Sequence, residues 1–388
     1  MNFGKYIFAQ VVSFLDPNEF KKCVERYNGN YKVKDFSCWH QLLCMMFGQL
    51  SNRESLSDLV ICLQTQKSKW YHLGLGNSIS KSNLAYANEH RNYQIFADYA
   101  YTLIAEARQT IAPNEALNDF EDNPIYAIDT TTIDLCLNVF WWAKFRKNKG
   151  AVKLHTVLDI KTEIPCYIHI TDGKVHEVNV LDIIEFEPNG FYIMDRGFVD
   201  YERLYAIHSK HSYFIIRSKT NMKCRRIYSA KVDKSTGVLY DQTIKLVNFY
   251  PLKQYPEKLR RVKYFDSETN KKFIFLTNNF EITALQIALL YKYRWKIELF
   301  FKWIKQHLKV KSFWGHSENA VKVQVYAAII TFVTVAIVKQ KLKTPLTNYQ
   351  ILQILSITLL NKTPLNQLFE DAKLHYTEDL ISNQLKMF

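Results

Sequence analysis

The sequence predicts an α/β chain with helical ends, and three observations carry that expectation. Apolar residues recur at helical spacing through the first 110 or so residues. Between Ile125 and Arg217 short β-rich runs alternate with helical patterns in the order three strands, helix, strand, helix, strand. Helical spacing then returns at Ala284 and dominates the rest of the chain.

Composition narrows the class of function. At 388 residues the chain is long enough for roughly two to three domains of ~150 residues each. A net charge of +14 points to a polyanionic partner, because clustered Lys and Arg release counterions when they dock on a phosphate backbone. The 24 tyrosines and 25 phenylalanines suit a large packed interior first and a base-stacking surface second. The seven cysteines form no C-x-x-C pair, so neither a disulfide framework nor a zinc site is indicated. The longest apolar run, Val325 to Val338, is about 14 residues against the ~20 needed to span a bilayer, and reads as a buried helix. No secretory signal opens the chain, so the expected location is the cytoplasm, on the nucleoid when DNA is bound, and no membrane.

The first domain is expected at 1–112. Phe36 to Leu50 and Leu56 to Leu63 have helical spacing, and the Ser78 to Arg91 stretch can cap a helix that turns Asn83, Asn88 and Arg91 outward. Helix, short turn and polar helix resemble a helix-turn-helix, so probable DNA contacts fall on Asn83 and Arg91. A polar linker from Asn114 to Asn123 opens a second domain at about 120–340. Its strands are read at Ile125–Asp129, Val152–Ile160, Ile164–Ile170, Phe191–Asp195 and Ser212–Arg217, with helices at His176–Phe186 and Val199–His208. Residues 218–280 read as a β-rich insertion, with strand-like pieces at Gly237–Tyr240, Thr243–Phe249, Arg261–Phe265 and Lys272–Leu276. One long helix is expected from Ala284 to Leu308, and a helical tail over 341–388.

Asp129 and Asp195 each follow an apolar run, where carboxylates emerge at a sheet's carboxyl edge. An Asp at a strand end is usually a cap or turn residue, as Asp134, Asp159 and Asp172 are read here. Tyr291, Arg294, Glu298 and Lys305 stand at helical offsets that place all four within roughly a 60° arc at about 100° per residue. Ile297, Phe300, Phe301, Ile304 and Leu308 lie around the other side, leaving the polar row free to face a cleft. Taken alone, Arg294 and Glu298 could simply pair along a solvated face.

The spacing Y-x2-R-x3-E-x6-K resembles the signature helix of the IS4-type DDE transposases, and Tyr291, Arg294, Glu298 and Lys305 fill every position. Ala127-Ile128-Asp129-Thr130-Thr131 resembles that family's first aspartate strand, and Ile193-Met194-Asp195-Arg196-Gly197-Phe198 its second. Lys149-Gly150-Ala151-Val152-Lys153-Leu154-His155 looks like the strand between them. The resemblance covers roughly residues 120–340.

It implies a ribonuclease-H-like catalytic core, interrupted by the β-rich insertion, that brings Asp129, Asp195 and Glu298 together as catalytic metal ligands. The implied cofactor is Mg2+ or Mn2+, two ions per site, since in-line displacement at phosphate needs charge neutralised on both the attacking and the leaving oxygen. Hard cations take oxygen ligands and keep several waters, so three carboxylates suffice. The implied partner is double-stranded DNA, both terminal inverted repeats and target, bound by a homodimer in a synaptic complex. Arg294 and Lys305 would contact phosphates and Tyr291 the terminal nucleotides; Lys302 shares their face. Lys144, Arg146, Lys147, Lys149 and Lys153 could track a DNA backbone.

The implied chemistry is hydrolysis at the element end and strand transfer, through a hairpin in some relatives. The insertion here has no Trp to hold a flipped base, with Tyr228, Tyr240, Phe249 and Tyr250 as substitutes. The competing readings are a non-cutting repressor derived from a transposase and a structure-specific nuclease on the same core.

Overall fold

The computed structural model describes residues 4–146, 149–306 and 313–372, and divides into two compact units. The first takes in the amino-terminal residues to Ala112, Asn138–Trp142, and the chain from Phe301 onward; the second is Pro113–Leu137 with Ala143–Phe300.

The first unit is helical, with helices at Ile7–Val12, Pro17–Arg26, Cys38–Leu50, Leu56–Gln64, Trp70–Leu73, Lys81–His90 and Gln94–Thr110 before the second unit, and Glu318–Lys341 and Asn348–Thr358 after it. Side-chain caps start several of them: Asp16 accepts from Asn18 and Glu19 with Pro17 at the first turn, and Ser80 from Asn83. The apolar run read at Val325–Val338 is the middle of a 24-residue helix. By length and composition this helix could cross a membrane, but its apolar residues are buried against Gln94–Thr110, Cys38–Leu50 and Lys81–His90. It is the core of this unit.

The second unit is built on one mixed sheet of ten strands: β1 Ile125–Leu135, β2 Lys144–Arg146, β3 Lys149–Asp159, β4 Ile164–Asp172, β5 Phe191–Met194, β6 Tyr213–Arg217, β7 Cys224–Ala230, β8 Val238–Leu246, β9 Leu259–Asp266 and β10 Lys271–Thr277. β3 carries both β2 and β4, and the order then runs β3-β1-β5-β6-β10-β9-β8-β7. β1, β3 and β4 are antiparallel, whereas β1, β5 and β6 are parallel. A parallel pair needs a crossover, which the helix Tyr201–Ser209 supplies between β5 and β6. β5 is Phe-Tyr-Ile-Met, buried throughout, as expected of a strand covered on both faces.

Four local expectations change. The segment read as a helix at His176–Phe186 forms only a 3-10 turn, Glu177–Asp182. The pieces at Gly237–Tyr240 and Thr243–Phe249 are one strand, β8, which runs on through the polar pair Asp241 and Gln242 and ends at Leu246, while Phe249 opens a short helix, Phe249–Gln254. β7 gave no strand signal because it is an exposed edge strand with no apolar alternation. The helix expected over Ala284–Leu308 breaks into Ala284–Lys292 and Trp295–Gln306. At the break the Arg294, Lys296 and Ile297 amides each bond three residues back, to Tyr291, Tyr293 and Arg294. Residues 307–312, with Leu308, lie outside the described residues.

Arg260 fixes the approach to that pair of helices. Its guanidinium forms two hydrogen bonds to Asp241, at 2.9 and 2.7 Å, and donates to the Ile282 carbonyl just before the Thr283 cap. Both side chains are nearly buried. Removing one partner of such a pair leaves an uncompensated buried charge. Arg260→Ala is therefore expected to lower unfolding free energy by about 3–5 kcal/mol, read by urea denaturation.

Candidate active site

The register of the parallel pair sets the two aspartates side by side. β1 and β5 pair from Ile125↔Phe191 to Ile128↔Met194, and the next residue on each chain is Asp129 or Asp195. Neighbouring strands lie about 4.8 Å apart, so two carboxylates leave the sheet at one edge. Asp129 does not end its strand, as the sequence had implied. β1 continues to Leu135 against β3, and only the parallel pairing stops there.

Local backbone groups hold both carboxylates. The Thr130 amide donates to Asp129 Oδ1 at 2.7 Å. Asp195 caps the 3-10 turn Arg196–Phe198 through the Gly197 amide. A Cβ at Gly197 would lie 3.0 Å from Asp195 Oδ1 and 2.4 Å from Glu177 Oε1, so this position excludes any larger side chain unless Glu177 moves. Glu177 is a half-buried acidic neighbour of Asp195 that pattern reading missed, because its segment was taken for an ordinary helix.

Arg294 joins the third carboxylate to the first. Its guanidinium donates to Asp129 Oδ2 at 3.2 Å and to Glu298. The 3-10 turn accounts for its direction. With about three residues per turn, positions i and i+3 eclipse, and the Arg294 guanidinium lies 5.8 Å from the Tyr291 ring centre. Tyr291 packs against Phe275 at 4.6 Å, and Arg217, at the end of β6, sits over the next ring, Phe273. Arg217 is a second site cation without a motif position to announce it.

Burial pushes the Asp129 carboxyl up to about 6, and the charges of Asp195 and Glu298 add to the rise, against the Thr130 amide and Arg294. Burial, with Asp195, also raises the Tyr291 phenol. Asp129 thus lies in the field of both Asp195 and Glu298.

The remaining residues singled out by the sequence divide. Asn83 is exposed on its helix. Asn88 and Arg91 do not point outward: Asn88 is buried and accepts from Gln41 at 2.8 Å, while Arg91 donates to Gln41 and to the Phe36 carbonyl and lies over the Phe36 ring. Arg91 ties helices of its own unit together. Lys153 donates to the Val175 carbonyl at 2.6 Å, linking β3 to the segment that carries Glu177. Lys302 is exposed and Lys305 half-buried, both on the helix of Glu298 but in the part assigned to the helical unit. Lys147 lies outside the described residues, as do the side chains of Lys144, Arg146 and Lys149.

Among the described residues no three His, Cys, Asp or Glu groups already form an ion cage. The donor chemistry nevertheless fits a hard divalent cation: three carboxylates from three elements, with Arg294 as the resident positive charge between two of them. Two fully buried polar atoms here have no hydrogen-bond partner, Arg294 Nε and the hydroxyl of Thr156, which pairs across the sheet with Asp129 and so shares its face.

Comparison with known proteins gives the family of the chain. The family model described as Transposase DDE domain matches residues 121–333, more than half of the chain, and a domain of unknown function (DUF4372) matches residues 3–76. "Putative transposase y4zB" of Sinorhizobium fredii is 37% identical over 257 residues, 64% of this chain and 68% of the relative. "Probable transposase for insertion sequence element IS5377" of Geobacillus stearothermophilus is 32% identical over 54% of this chain and 55% of its own length. "Putative transposase for insertion sequence element IS4SA" of Synechocystis sp. is 26% identical over 69% and 75%.

Two outcomes are expected. With the folded Asp129 raised to about 6 from 3.8, the folded state holds its proton more tightly, so the penalty grows as pH rises from about 4 to 6 and is complete above. In EDTA, Asp129→Asn should gain melting temperature over wild type across that window, the full difference being on the order of 1–3 kcal/mol. Arg294→Ala should melt lower in EDTA and show a larger upward shift with Mn2+ than wild type, because the ion no longer competes with the guanidinium.

Proposed function

The chain belongs to the DDE transposases, divalent-metal-dependent enzymes that cut DNA and transfer its strands, and from that premise we propose that Asp129, Asp195 and Glu298 are the catalytic triad on a ribonuclease-H-like core. The observation that carries this reading is that Asp129 and Asp195 leave adjacent strands at one edge while Arg294 pairs with both Asp129 and Glu298. The strand order β4-β3-β1-β5-β6, antiparallel on one side of β1 and parallel on the other, supports the core, and β7 to β10 supply the β-rich insertion.

The proposed cofactor is a pair of Mg2+ ions, with Mn2+ as substitute, held by those carboxylates; when bound, they would neutralise charge on the attacking and leaving oxygens of an in-line displacement. The protein's part is to orient. Asp129 and Asp195 are held by backbone amides and Glu298 stands on its helix, so these carboxylates would hold the ions, and Arg294, now paired to Asp129 and Glu298, would be available to bind phosphate. Tyr291 and Arg217 extend the same wall toward the DNA end, with Lys302 and Lys305 further along the Glu298 helix. Water would attack the phosphodiester at the element end, releasing a 3′-hydroxyl, which would then attack a target phosphodiester and exchange one such bond for another.

The substrate proposed is the element's terminal inverted repeats plus target DNA, held by a homodimer. The helical residues before 112, with Asn83 on an exposed face, are the proposed repeat-reading region, and those after 341 a helical tail.

Mg2+-dependent nicking of a terminal-repeat duplex and joining of a pre-cleaved 3′ end to target DNA test this reading. Asp195→Ala should lose both activities by about 10^3-fold or more, equivalent to ~4 kcal/mol of barrier, while still shifting the duplex in a gel. Equal activity in the variant would remove Asp195 from the site.

A further inference from the structure

His155 stands on β3 directly across from Thr130, the residue after Asp129, and is 1% exposed. Its two ring nitrogens are both engaged: Nδ1 with the Thr130 hydroxyl at 2.8 Å and Nε2 with the Thr171 hydroxyl of β4 at 2.9 Å. One imidazole thus links three strands in a single polar line. The Thr171 hydroxyl donates its proton to the Asp172 carbonyl at 3.0 Å, so it accepts from His155 Nε2–H, and the Thr130 hydroxyl donates to the unprotonated Nδ1 of a neutral ring. Burial first, then His169 and Lys153, holds the ring in that neutral form, its pKa pushed down to about 4. A charged or proton-shuttling role at neutral pH is thereby removed, and what remains is mechanical.

The line terminates on the residue whose amide holds Asp129. Thr130 donates its N–H to Asp129 Oδ1, and its hydroxyl is the end point of the His155 bond. From Asp129 onward β1 has lost its parallel neighbour β5, and its backbone is held by the β3 ladder alone. The His155 bond adds a side-chain tie on that same β3 side, to the residue next to Asp129.

We propose that His155 is a positioning residue for the catalytic centre: through Thr130 and Thr171 it locks the β1 backbone so that Asp129 presents its carboxylate in the geometry a divalent cation requires. This rests on the reading of Asp129 as a metal ligand. Partners that orient a metal ligand from behind typically change metal affinity or activity by about 10–100-fold when removed.

The test compares wild type with His155→Ala, His155→Gln, Thr171→Val and Asp129→Asn. Mn2+ binding is read by isothermal titration calorimetry, terminal-repeat binding in EDTA by gel shift, and folding by circular dichroism. His155→Ala should weaken Mn2+ binding and nicking by about 10–100-fold with DNA affinity in EDTA unchanged. His155→Gln should recover part of the loss. Thr171→Val, which keeps the ring and removes one hydroxyl, should move Mn2+ binding in the same direction by less, and it answers the question should His155→Ala fail to fold. Unchanged Mn2+ binding in folded Thr171→Val and His155→Ala, with Asp129→Asn inactive, overturns the role of His155 alone. Unchanged Mn2+ binding and nicking in Asp129→Asn overturns the reading of the site beneath it.

Discussion

The double pairing of Arg294 with Asp129 on β1 and Glu298 on the following helix is the interaction on which the site depends. Like charges brought together in a partly buried site repel, by several kcal/mol at about 4 Å and an effective dielectric near 20. Arg294 offsets that repulsion by bonding two of the carboxylates at once. The arrangement is tense by design of its charges: a cation of higher charge density would satisfy the carboxylates better than a guanidinium does, and the guanidinium would then be available for phosphate. Burial first, with a smaller contribution from the charges of Asp195 and Glu298, raises the Asp129 pKa to about 6.

Keeping charges in such positions requires a stiff support. β5 is buried along its whole length and β1 is buried up to Ile128, so both aspartates emerge from a packed interior with little freedom to separate. The apolar layer beneath includes Tyr126, Ile128, Tyr192, Met194, Phe214, Ile216 and Leu276. On the far side, the Arg260–Asp241 pair anchors the segment that leads into the Ala284 helix, and hence Tyr291 and Arg294. The site is thus assembled from three separately supported pieces.

Much of this was legible before any coordinates. The Tyr291, Arg294, Glu298 spacing was readable because a helical period projects such offsets onto one face, and the short 3-10 stretch at Tyr293–Arg294 tightened that face without scattering it. The buried strands were readable because they are apolar. The edge strand β7 was not, since its outward residues Arg225, Arg226 and Tyr228 answer to solvent and carry no alternation. Arg91 misled for a related reason: a cation at the end of a polar helix looks the same whether it faces DNA or, as here, the Phe36 carbonyl in the loop before the Cys38 helix.

By itself the sequence determined the family and singled out the three carboxylates proposed as the triad, because metal-assisted phosphoryl chemistry demands fixed residue types at spacings the chain records directly. Tertiary structure alone decided which partners those residues keep. That Asp129 and Asp195 are neighbours follows from the β1–β5 register, that Arg294 serves two carboxylates follows from a 3-10 turn, and that His155 braces Thr130 follows from strand pairing across 25 residues of chain. Those are relations between distant segments, set by packing and hydrogen bonding in three dimensions, and no local pattern encodes them.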